Sequence, residues 1–169
     1  MMNDIISGLL EFSGVDREKE LILTDFNDVV KLVHLNLQTT LETNNAIVHA
    51  ENLPKLNVYK VGMIQLLQNL IENAVKYSPD DPTILVKYFY ENDCFKFDII
   101  DNGLGINSLE KKKVFEKFYR VGSEETRKTK GTGLGLYIVA QVVKAHRGFI
   151  RISDNQPKGS IFHIGLPNV

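Results

Sequence analysis

Apolar residues along this chain recur with a helical period in some stretches and alternate in others, and the switches between the two predict the order of elements. Val29, Val30, Leu32, Val33, Leu37 and Leu41 form a helical stripe. It starts at Thr24-Asp25-Phe26-Asn27, where Thr24 or Asp25 can act as cap, and runs to about Glu42. Ala46 to Ala50 reads as a short strand and Leu53-Pro54-Lys55-Leu56 as a connection. Tyr59 to Tyr77 predicts a two-faced helix. Met63, Leu67, Leu70, Ile71 and Ala74 cluster on one side of its wheel, Gln65, Asn69, Asn73 and Lys76 on the other, and Tyr77 lies at the edge. Ser78-Pro79-Asp80-Asp81-Pro82 stops it. Thr83 to Tyr90 and Cys94 to Ile100 alternate around Glu91-Asn92-Asp93, as a hairpin does. A last helix is expected from about Gly133 to His146, stopping near Gly148. Phe149 to Ser153 and Ser160 to Leu166 then form a closing strand pair that Pro167 ends. The pattern predicts an α+β domain with roughly four helices on one face of a sheet of about five strands.

Two stretches fit this scheme poorly. In residues 1 to 20, Ile5, Ile6, Leu9, Leu10 and Phe12 share one helical face that is too short to stand alone. They read either as the end of a longer helix from a neighbouring domain or as an ordinary packing helix. Asn107 to Lys130 is polar and lysine-rich around Phe115, Phe118 and Tyr119. A loop that long in a compact domain is expected to be functional, here a lid over a ligand.

Composition narrows the class. A chain of 169 residues, 43% hydrophobic, suits one core rather than two. Its 20 basic and 21 acidic residues argue against a general nucleic-acid or membrane-surface binder. One cysteine, Cys94, forms no disulfide framework, and no apolar run reaches the roughly 20 residues of a membrane span. The expectation is a cytoplasmic piece without direct membrane contact.

The candidate chemistry lies in two glycine-rich segments and one helix face. Asp101-Asn102-Gly103-Leu104-Gly105-Ile106 closes a strand with an acid and two glycines, and Gly131-Thr132-Gly133-Leu134-Gly135-Leu136 opens the last helix. Glycines let backbone approach a ligand closely, and a helix start offers N–H groups to phosphate. A carboxylate at a buried strand end needs a donor, which an adenine amino group would be. Asn69 and Asn73 project together at a spacing of four, and Lys76 completes the row. Amide oxygens suit magnesium, and the lysine would neutralise phosphate. Taken alone, the same three residues fit a solvated helix face better, and the glycine motifs reverse the balance in favour of the nucleotide reading. The chain contains no G-x-x-x-x-G-K-[ST] loop, and the glycine helix is not part of a dinucleotide-binding β-α-β unit.

These residues bring a family with them. Gln65 to Pro79 resembles the asparagine box of sensor histidine kinases, and Asp101 to Ile106 their first glycine box. Val114 to Arg120 resembles their phenylalanine box, and Gly131 to Leu136 their second glycine box. Ala145 to Gly148, Gly159 to Phe162 and Leu166-Pro167 are similar to their closing segments, so the likeness spans about residues 25 to 167. It implies the Bergerat fold, a two-layer α/β sandwich with a mixed sheet, and ATP and magnesium as ligands. It assigns adenine recognition to Asp101 and magnesium to Asn73, with Asn69 beside it. Lys76 and Arg120 go to the phosphates, Tyr77 to the base or ribose, and the backbone of Gly131, Gly133 and Gly135 wraps the phosphates. Nucleotide contacts further fall on Gly103, Gly105, Ile106, Tyr119, Lys130, Thr132, Leu134 and Leu136. Asn69, Asn73, Lys76 and Arg120 form the expected catalytic set.

The family's phosphate-accepting histidine carries an acid directly after it. His34, His49, His146 and His163 are followed by Leu35, Ala50, Arg147 and Ile164. The resemblance therefore implies residues 1 to 20 as the end of a dimerisation and phosphoacceptor domain with its linker, and residues 21 to 169 as the catalytic domain. It also implies a downstream response regulator and a homodimeric parent that can be membrane-anchored, this piece alone being monomeric. Related ATPases carry a water-activating glutamate where Asn69 stands, and an amide cannot take a proton. Phosphoryl transfer to a histidine is the expected reaction. A nucleotide-binding regulatory module and an anti-sigma-type serine kinase are the alternatives. Glu72, at the edge of the polar face, is expected to be an orienting or surface group.

Overall fold

The computed structural model describes residues 20–122 and 131–168. Its elements run β1 Ile22–Asp25, α1 Phe26–Asn36, α2 Gln38–Thr43, β2 Ile47–Ala50, β3 Lys55–Val58 and α3 Lys60–Lys76. Then come β4 Thr83–Glu91, β5 Cys94–Asp101, a 3-10 turn at Lys113–Phe115, α4 Gly135–Ala145, β6 Phe149–Asp154 and β7 Ser160–Pro167. The main sheet has the order β2-β4-β5-β7-β6. Only β2 runs parallel to its neighbour, so the sheet is mixed.

Alternation on the strands decides which face is covered. Ile84, Val86, Phe97, Ile99, Phe162, Ile164 and Leu166 are buried against the helices. Each such side chain contributes about 2 kcal/mol relative to exposure. α3 supplies Met63, Leu66, Leu67, Leu70, Ile71 and Ala74 to the same core, and α4 supplies Ile138, Val139, Val142 and Val143. Phe26 stacks on Phe97 at 4.8 Å between centroids. The opposite face is mixed, with Leu85, Phe89, Ile100, Phe149 and Ile161 set among polar residues. There His163 stands between Asp98 (Nδ1 to Oδ1, 2.7 Å) and Ser153 (Nε2 to Oγ, 2.7 Å).

Three expectations need correction. The single helix from Thr24 to Glu42 is two, separated at Leu37 (φ −100°, ψ 6°). Val29, Val33, Leu37 and Leu41 are all buried at a spacing of four. That spacing drifts about 40° per step on a helix of 3.6 residues per turn, so one straight helix would carry Leu41 off the core, and the break resets its direction. Leu32, placed on the stripe, is 38% exposed. The connection at Leu53 to Leu56 contains the start of β3, and β1 precedes the helix that Asp25 caps; the two strands pair as an antiparallel ribbon. The Asp25 carboxylate accepts from the Asn27 N–H at 2.9 Å, which makes Asp25 rather than Thr24 the cap.

The residues 1–20 expected to end a longer helix lie, up to residue 19, outside the described residues, as does the part of the loop from 123 to 130 that includes Lys130. Among the described residues, no helix is long and apolar enough to cross a membrane.

Candidate functional site

α3 and the two glycine segments enclose a cavity of about 320 Å³. One wall is the polar face of α3: Asn69, Glu72, Asn73, Lys76 and Tyr77. The floor is Asp101 with Gly105 and Ile106, and the far wall is Tyr119, Arg120, Gly131, Thr132, Gly133, Gly135 and Leu136. Of the residues proposed from sequence, Gly103 and Leu134 are buried beside the cavity without lining it. Lys130 falls outside the described residues.

Asp101 is 7% exposed at the end of β5. Its Oδ1 accepts from the backbone N–H of Gly103 (2.9 Å) and of Ser160 (3.1 Å). Oδ2 takes no hydrogen bond among the described residues, so one oxygen is fixed and the other is open to a donor in the cavity. Burial pushes this carboxyl above the usual carboxylate range, and the two N–H bonds pull the other way. Glycine is required beside it: a Cβ on Gly159, whose φ is +110°, would collide with the Asp101 carbonyl.

The amides of α3 differ in their freedom. Asn69 Nδ2 donates back to the Gln65 carbonyl at 2.8 Å, which fixes the amide. Its Oδ1 faces Gly135, 2.8 Å from where a Cβ there would lie. The Asn73 amide makes no hydrogen bond among the described residues and remains available as a hard oxygen donor at the cavity wall. Lys76 Nζ lies 5.0 Å over the Tyr77 ring and against Gly131, where a Cβ would strike it. Its cation thus stands between the helix and the second glycine segment.

That segment is shaped for close approach. Gly133 has φ +74°, and a Cβ there would lie 2.7 Å from Phe118 C and 2.8 Å from Tyr119 O. The Phe118 N–H donates to the Gly133 carbonyl at 3.0 Å, joining the phenylalanine-box loop to the glycine loop. Thr132 Oγ1 accepts from Leu134 N–H at 3.3 Å, and α4 then begins with no side-chain cap. A helix start of this kind favours an anion.

Several site residues were not read from sequence. Leu104, Val114, Val121 and Phe162 supply apolar wall, and Ser160 supplies the second N–H to Asp101. The sequence places Gly159-Ser160 at a strand start and in a closing segment similar to the family's, without a link to Asp101. Its pairing register, Ile161 opposite Ile100, places it beside Asp101. Glu72 is exposed at the cavity rim. His146 lies away from the cavity. Its Nε2 accepts from Tyr59 N–H at 3.0 Å and its Nδ1 donates to the Val142 carbonyl at 2.7 Å.

The cavity gathers a buried carboxylate, two amides and glycine-lined backbone around one space. Residues 59–169 match the family described as histidine kinase-, DNA gyrase B-, and HSP90-like ATPase. The chain is 32% identical over 170 residues to the sensor histidine kinase WalK of Bacillus subtilis, covering 96% of this chain and 28% of WalK. It is 35% identical over 133 residues to the sensor protein CiaH of Streptococcus pneumoniae, covering 78% and 30%. The chain thus spans less than a third of these curated relatives. The solved mycobacterial sensor histidine kinase MprB superposes with a TM-score of 0.70 at 28% identity, over 87% of this chain and 97% of that one. The chain belongs to the histidine kinase-, DNA gyrase B- and HSP90-like ATPase family, as an ATP-binding domain of the sensor-histidine-kinase type.

Proposed function

We propose that the domain binds Mg-ATP with the base against Asp101 and the phosphates toward Lys76, Arg120 and the start of α4. It then transfers the γ-phosphoryl group to a histidine of a dimerisation domain in the same polypeptide. The observation that carries this is the single cavity shared by Asp101 and the Asn69–Asn73–Lys76 row. The open Asp101 Oδ2 suits an adenine amino donor. Gly105, Ile106, Tyr77 and Tyr119 would flank base and ribose, and the Gly131–Gly135 backbone would follow the phosphates.

The residues present fit magnesium. Asn73 offers a hard amide oxygen that nothing else among the described residues engages, with Asn69 next to it. The ion would neutralise phosphate charge, and Asn73 would hold it. Lys76 and Arg120 add fixed positive charge toward the phosphates. In the transfer, the histidine nitrogen lone pair forms the bond to γ-phosphorus while the bond to the β–γ bridging oxygen breaks, its electron pair leaving with ADP. Catalysis of such a step rests on positioning and charge neutralisation. Asn69 cannot accept a proton, so water is left unactivated and transfer is favoured over hydrolysis.

In this reading residues 1–20 end the dimerisation domain and linker, and residues 21–169 are the catalytic domain of a homodimeric, cytoplasm-facing kinase that serves a response regulator. The test is labelled ATP with a supplied dimerisation domain. Acid-labile phosphohistidine supports the proposal, and intact nucleotide binding without transfer would overturn it.

A further inference from the structure

The hairpin between β6 and β7 holds the strand end that carries Asp101. Asn155, the first residue after β6, donates from Nδ2 to the Asp101 backbone carbonyl at 2.8 Å. The same side chain is a turn former: its Oδ1 accepts from Gln156 N–H at 2.9 Å. Its backbone N–H donates to the Gly159 carbonyl at 3.0 Å, which closes the turn. That turn sets Gly159 against the Asp101 carbonyl and aims Ser160 N–H at Asp101 Oδ1. Backbone and carboxylate of Asp101 are therefore both held by one hairpin, which lies more than fifty residues further along the chain.

We infer that Asn155 is a positioning residue for nucleotide-base recognition. It fixes the backbone of Asp101 so that the open carboxylate oxygen meets the exocyclic group of an adenine. This rests on the proposed role of Asp101. A carboxylate aimed by backbone discriminates between the 6-amino donor of adenine and the 6-carbonyl acceptor of guanine only if its own position is rigid, because a shifted oxygen could reach other donors on the guanine edge. Without the Asn155 donor, the Asp101 carbonyl would lose its partner and the strand end could tilt, blurring that discrimination. The neighbouring Asp154 joins the same device, since its Oδ1 accepts from Lys111 Nζ at 2.7 Å and ties the root of the phenylalanine-box loop to the hairpin.

The test separates the two hydrogen bonds of the Asn155 side chain. Asn155→Asp keeps the acceptor for Gln156 N–H but removes the donor to Asp101, and Asn155→Ala removes both. Calorimetric titration with Mg-ATP and Mg-GTP is carried out on both variants, on Asp101→Asn and on the double variant Asn155→Asp/Asp101→Asn, with folding checked by circular dichroism. The expected result is a loss of ATP affinity of roughly tenfold in both Asn155 variants, the size of one lost hydrogen bond that leaves its partner unsatisfied. GTP affinity should change little, so the ATP-over-GTP preference falls, and Asn155→Asp should add no further loss in the Asp101→Asn background. An Asn155→Asp variant that binds ATP like the parent overturns the inference and restricts Asn155 to shaping the turn. So does a loss that is equal for ATP and GTP or additive with Asp101→Asn. An Asp101→Asn variant with unchanged ATP affinity would instead overturn the base-recognition role itself.

Discussion

Asp101 and Ser160 stand 59 positions apart, yet the Ser160 N–H donates to Asp101 Oδ1 at 3.1 Å, and with Gly103 N–H it commits that oxygen. The carboxylate is held by backbone from two different strand ends and keeps its second oxygen for a ligand. Such an arrangement has a stability cost when no ligand is present.

That cost sets a pH dependence. Burial, opposed by the two N–H bonds, raises the Asp101 pKa. An acid whose folded pKa is raised binds its proton more tightly in the folded chain, so its contribution is fully present below the ordinary carboxylate range and is lost as pH rises through the folded value. Asp101→Asn is therefore expected to melt above the parent at neutral pH. The gap should close as pH falls into the carboxylate range. Thermal melts across pH check this, and a variant that is less stable at neutral pH would contradict it.

Gly133→Ala should damage the site and spare the fold. The backbone there has φ +74°, and the new Cβ would press on Phe118 and Tyr119. Left-handed backbone costs a non-glycine residue about 1–2 kcal/mol before the collision is counted. Nucleotide affinity is expected to fall at least tenfold by calorimetry, with an unchanged far-ultraviolet spectrum.

Asn73→Ala separates metal-dependent from metal-independent binding. If the Asn73 amide holds magnesium, the parent binds ATP more tightly with magnesium than with excess chelator. The variant should lose most of that difference while its chelator value stays within about twofold, since the Asn73 amide makes no hydrogen bond among the described residues that the substitution would break. Fluorescent-nucleotide titration with and without chelator reads both quantities.

His146→Phe tests a residue that the site does not use. The substitution keeps a ring beside Tyr59, with the native ring centroids 4.9 Å apart at 63°, but leaves Tyr59 N–H and the Val142 carbonyl without the imidazole. A loss of about 1–3 kcal/mol in denaturant unfolding is expected. ATP affinity should stay unchanged, because the residue lies outside the cavity.

The parts of this molecule that were legible in the sequence are those where one local period controls burial. The wheel of Lys60–Lys76 separates Met63, Leu67, Leu70, Ile71 and Ala74 from Asn69, Asn73 and Lys76, and those two sets face the core and the cavity. Hairpin strands of eight or nine residues were equally readable. The β1–β3 ribbon was not, because each strand has four residues and Ile22 and Leu23 point out at 46% and 68% exposure. The break at Leu37 carries no glycine or proline and arises from the demands of the core on Leu41. The grip of Ser160 and Asn155 on Asp101 is tertiary, and only strand register places those residues together.

The most direct measurement is calorimetric titration of the well-folded chain with Mg-ATP and Mg-ADP, repeated on Asp101→Ala. Saturable uptake of one nucleotide per chain, weakened at least tenfold by the substitution, is predicted from the loss of a charge-assisted hydrogen bond to the base. No heat of binding from folded protein, or equal affinity in Asp101→Ala, would contradict the nucleotide site.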